Sequence, residues 1–116
     1  MTNTPFGGKD CNWTDYQSAK IVVLPIPYDY TATWLKGADQ GAEAIIEASA
    51  HVELYDIETD SEVHLHGIHT FESPHLPRSP EKLTEIVRER FSAFANDKKF
   101  PVMLGGNHSV TPGAVQ

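Results

Sequence analysis

A chain of 116 residues, 40% of them hydrophobic, is long enough for one small domain with a modest core. Nine Lys and Arg against sixteen Asp and Glu leave a formal charge of -7, which excludes non-specific nucleic-acid binding, because that needs a basic surface, and is compatible with a cationic ligand. The single cysteine, Cys11, excludes an internal disulfide, no apolar run is long enough to span a bilayer, and the N-terminus lacks the basic-then-apolar pattern of a secretory signal, so the expected setting is the cytoplasm, with no membrane partner.

Residues 1–19 are polar and read as an irregular lead-in, with Phe6, Trp13 and Tyr16 as docking points. Residues 20–116 read as one α/β unit. Lys20 to Leu24, KIVVL, is apolar on both faces, which suits the buried centre of a parallel sheet. PIPYDYTATWLKGADQG is then a long connection rich in Pro, Gly and aromatic residues, of the kind that often carries function. Gly37 and Gly41 are expected to turn the chain into a helix over 42–50, where Ala42, Ile45, Ile46 and Ser49 share a face. Val52, Leu54 and Ile57 predict a strand. Residues 59–77 read as loop around Val63, Leu65 and Ile68, with room for a short strand. Ser79, Pro80 and Glu81 open the clearest helix, whose apolar positions include Leu83, Ile86, Val87, Phe91, Phe94 and Ala95. FPVMLGG is the next buried strand.

Strands alternating with helices predict a three-layer α/β/α arrangement around a parallel sheet. Ligands in such sheets bind at the carboxyl ends of the strands, so PYDYT after the first strand and GGNHS after the last should open on one edge. Gly105 and Gly106 are expected to supply freedom for a sharp turn there. From spacing alone His108 fits two roles, a catalytic or metal-binding group or a local cap of the turn.

LPIPYD, KGADQGAEAII, VELYDIET and PVMLGGNHSVTPGA together resemble the N-terminal part of a ureohydrolase of the arginase and agmatinase family, agmatinases above all. The resemblance runs from about Lys20 to the end and implies hydrolysis of a guanidino compound, agmatine first, to putrescine and urea. It implies a binuclear Mn²⁺ centre that activates water for attack on the poorly electrophilic guanidinium carbon, with His108 as one metal ligand and no catalytic residue or other cofactor-binding residue in this stretch. It also implies a homo-oligomer at full length, acting on a small cationic guanidino substrate. Arginine, guanidinobutyrate and formiminoglutamate are the family's other substrates.

Two departures qualify the match. Asn107 stands where the family has an acidic residue, which keeps hydrogen bonding and loses charge. The family's other ligands lie in Asp-Ala-His-x-Asp and Asp-x-Asp motifs, absent here, and no Asp follows His108. One histidine does not hold a pair of manganese ions, which prefer oxygen-rich coordination, so the stretch by itself is expected to be inert. Asn107 also motivates a second reading, a non-catalytic relative serving as scaffold or subunit partner.

Other residues invite blander readings. His64, His66 and His69, with Cys11 and His75 nearby in composition, could be taken for a small metal module, but a polar surface segment is favoured. His51 reads as structural. Tyr28 and Asp29 read as packing and loop closure before substrate entrance, and Trp34 and Lys36 as loop anchors. The charges of IVRERF read as a solvated helix face. Finally, FPVML needs neighbours on both sides, so an open edge and a tendency to aggregate are expected for the isolated stretch.

Overall fold

The computed structural model describes residues 4–11 and 14–116; Trp13 lies outside them. Three parallel strands form one sheet in the order β2-β1-β3. β1 is Ile21–Pro25, β2 is Ile68–Thr70 and β3 is Phe100–Leu104. Val22 stands opposite His69 on one side and Pro101 on the other. All strands run the same way, so their carboxyl ends share one edge.

β1 is central because it has no polar residue to hide. Val22 and Leu24, with Ile26 just beyond, face one core together with Leu83, Val87, Phe94 and Val110. Val23 faces the other, with Cys11, Ile68, Phe6, Leu54, Val102 and Leu104. Burial raises the Cys11 thiol above its ordinary pKa, which makes it a poor nucleophile.

Among the described residues three α-helices complete the fold: α1 (Gly41–Ser49), α2 (Pro80–Asn96) and the short α3 (Thr111–Val115). The chain passes from β1 to β2 in one direction across the sheet and from β2 past β1 to β3 in the other. Crossovers of one hand then place α1 and α2 on opposite faces. α2 lays Leu83, Val87 and Phe94 on the first core. On the other face the lead-in docks: Phe6 N–H donates to Thr70 Oγ1 (2.9 Å) and Gly7 N–H to Ser49 Oγ of α1 (2.9 Å). The three layers expected from the alternation are present.

α2 begins as its sequence predicts. Ser79 Oγ accepts Lys82 N–H, Pro80 fills the first turn, and the Glu81 carboxyl is held below its ordinary pKa by its own backbone N–H and by Ser79. Its end is less expected. Lys98 N–H donates to Ala95 O and Lys99 N–H to Phe94 O, with Lys98 at φ 58°, a Schellman motif built without glycine.

The strand expected at Val52, Leu54 and Ile57 is not formed. Asp56 caps a turn there instead, accepting from Glu58 N–H and Thr59 Oγ1, and bridges to Ser61. These local bonds hold the Asp56 carboxyl below its ordinary pKa and outcompete an extended ladder. Ile57 is left 83% exposed. The short strand allowed for in the following loop is the real one, β2, with Ile68 and Thr70 buried.

Candidate active site

Both loops at the carboxyl edge are tied together by backbone. Past β1, Ile26 N–H donates to Leu104 O (2.9 Å), and Asn107 N–H donates to Tyr28 O (2.7 Å). A Cβ on Gly106 would lie 2.1 Å from that Tyr28 oxygen. Gly106 is therefore required by close approach. Neither it nor Gly105 has a positive φ, so the turn freedom expected of the pair is not what they supply. Gly37, at φ 128°, does use that freedom, and Gly41 does not.

Tyr28 is fully buried and donates its hydroxyl to Arg78 O (2.5 Å). Burial, then the Glu81 carboxylate and Tyr30, push its phenol above the ordinary value. It packs; it does not line an entrance. Asp29 closes the loop as expected: its carboxylate accepts Gly37 N–H (3.1 Å), while Lys36 Nζ donates to Asp29 O (2.7 Å). Lys36 is thus an anchor. Trp34, 89% exposed, does not act as the expected anchor among the described residues.

His108 opens a 3-10 turn, His108–Val110, that leads into α3. It is exposed, and its ring makes no hydrogen bond among the described residues. Its neighbours are held. Asn107 Oδ1 accepts from Thr31 N–H and Thr31 Oγ1, both at 3.2 Å, and Thr31 Oγ1 lies 2.8 Å from Ser109 Oγ. The amide at position 107 therefore acts as an acceptor, a part a carboxylate could also play. Thr31 ends the PYDYT segment expected at this edge, but a lone hydroxyl in a loop carries no pattern that singles it out.

The other histidines do not assemble. His69 Nδ1 lies 2.8 Å from Thr14 O, and its ring meets Phe71 edge-on at 4.5 Å. His64 Nδ1 is buried and lacks a partner among the described residues, while His66 and His75 are exposed. No three His, Cys, Asp or Glu among the described residues come together as a metal site. A binuclear manganese centre therefore does not fit within these residues alone; His108 offers one imidazole donor.

A parallel α/β unit with a solvent-facing histidine at the carboxyl edge of its sheet places that residue where ligands bind in such folds. The sequence profile of the arginase family matches residues 19–116, and the chain belongs to that family. An N(1)-aminopropylagmatine ureohydrolase of Thermus thermophilus is 39% identical over 112 residues, covering 96% of this chain and 37% of that protein. An agmatinase of Halalkalibacterium halodurans is 29% identical over 101 residues, covering 84% of this chain and 34% of that protein. The crystal structure of agmatine ureohydrolase of Thermoplasma volcanium superposes with a TM-score of 0.89 at 28% identity, covering 99% of this chain and 38% of that one. The chain thus spans little more than a third of the length of these relatives. No helix among the described residues is long and apolar enough to cross a membrane.

Proposed function

We propose that the intact protein hydrolyses a guanidino group, cleaving a carbon–nitrogen bond with water to release urea and a primary amine. The observation that carries this reading is the placement of His108. β3 and the GGNHS turn present it, exposed and with no hydrogen bond to its ring among the described residues, at the carboxyl edge of the sheet, which supports a ligand-facing role. The net charge of -7 suits a cationic substrate.

Agmatine, giving putrescine, is one proposed substrate. Its N(1)-aminopropyl derivative is the other, favoured by the 39% identity to a relative named for that activity against 29% to one named agmatinase. The reading includes manganese dependence, with His108 as one ligand and the others drawn from outside these residues. Urea release by the intact protein from agmatine, N(1)-aminopropylagmatine and arginine tests it. One of the first two should exceed arginine in kcat/KM by about a hundredfold or more, and prior chelation should abolish release. No urea from any guanidino compound would leave the non-catalytic relative standing.

A further inference from the structure

Among the described residues the His108 ring has no hydrogen bond to aim it, and its neighbours in sequence are the groups that are held. Thr31 touches both. Its backbone N–H points at the side chain of Asn107 and so requires an acceptor there, which places Oδ1, not the amide nitrogen, towards Thr31. The Thr31 hydroxyl has one proton. Given to the same Oδ1, it leaves the 2.8 Å contact with Ser109 to be made by the Ser109 proton. On that assignment of the proton Ser109 donates to Thr31 and Thr31 donates to Asn107. Asn107 is further pinned by its own N–H on Tyr28 O and by Val110 N–H on its carbonyl.

We propose that Thr31 is a positioning residue, whose hydroxyl and amide hold Asn107 and Ser109 on either side of His108 and thereby fix the turn that presents the His108 ring. The proposal rests on the reading that His108 serves the reaction. It asks only for an acceptor at position 107, which accounts for an amide standing where the family resemblance expects a carboxylate.

The test uses the intact protein with Thr31→Val, which keeps the shape and removes the hydroxyl, and Thr31→Ser, which restores it. Amide hydrogen exchange at Asn107 and Val110 should quicken about fivefold to tenfold in Thr31→Val, the worth of one hydrogen bond, while Val23 in β1 stays unchanged. Thr31→Ser should return both amides to the wild-type rate. In urea release, Thr31→Val should lower kcat about tenfold with KM within about twofold, and Thr31→Ser should recover it. Asn107→Asp should keep the slow exchange, and Asn107→Leu should lose it. Wild-type exchange in Thr31→Val, or quickened exchange with unaltered kcat, would overturn the proposal. If the wild type releases no urea, the functional reading falls, and the exchange comparison still decides whether Thr31 holds the turn.

Discussion

β1 and β3 are both five residues long, pair along their whole length, and are nearly alike in composition, IVVLP against FPVML. Yet Val22, Val23, Leu24 and Pro25 are all buried, whereas residues 101–104 of β3 are half-buried and Phe100 is 67% exposed. The difference is position. β1 has a strand on each side and a core on each face, while β3 has no strand partner on its outer edge among the described residues. Apolar composition records the burial a strand is suited to, and β3 is suited to more than these residues supply. That agrees with a chain spanning little more than a third of its relatives.

The comparison can be broken by truncating matched side chains. Leu24→Ala should destabilise by about 3 kcal/mol, as expected for a fully buried leucine, and Met103→Ala on β3 by about 1 kcal/mol. Equal losses in denaturant unfolding would show β3 to be as well packed as β1. The ends of the two strands meet at Gly106, so Gly106→Ala should cost about 2 kcal/mol by driving a methyl group against the Tyr28 carbonyl. An unaltered melting temperature would mean that the loops part easily there.

Two smaller effects sharpen the comparison at the amino edge. Lys98→Gly, at the left-handed residue that feeds β3, should raise stability by about 0.7 kcal/mol; a loss would mean that the Lys98 side chain matters more than its backbone strain. Tyr16 spans the edge, donating to Asp97 Oδ2 (2.5 Å) under Lys99, whose ammonium sits 4.8 Å from its ring centroid and donates to Gln17 O and Ala19 O. Burial, then the Asp97 hydrogen bond, push the Tyr16 phenol up to about 12. Its folded pKa is raised, so its contribution is present below the ordinary value of 10.0 and is lost as pH rises from there through about 12. Tyr16→Phe should therefore lower the melting temperature slightly at neutral pH and flatten its fall in that alkaline window. A parallel fall in both proteins would contradict the assignment.

Much of this was legible in the residues. A β-branched run flanked by Pro marked β1, a Ser-Pro-Glu opening with helical spacing marked α2, and GGNHS after an apolar strand put His108 at the right edge. The apolar residues Val52, Leu54 and Ile57 misled, because Asp56, Thr59 and Ser61 satisfy one another locally before a ladder can form. β2 was only faintly visible, being three residues among histidines, and it depends on pairing with β1 rather than on a pattern of its own. The meeting of PYDYT with GGNHS was expected, but nothing singled out Thr31 within it, since its role exists only in the hydrogen bonds it makes to residues 107 and 109.

The proposed function rests on His108, carried at the end of β3, serving the reaction. The measurement that tests it most directly is urea release by the intact protein carrying His108→Ala, with its melting temperature as control. The account predicts a loss of about a thousandfold or more in kcat/KM with an unchanged melt after metal removal, since the exposed ring makes no hydrogen bond among the described residues. Activity within about threefold of wild type would contradict it and leave His108 an ordinary residue of a turn.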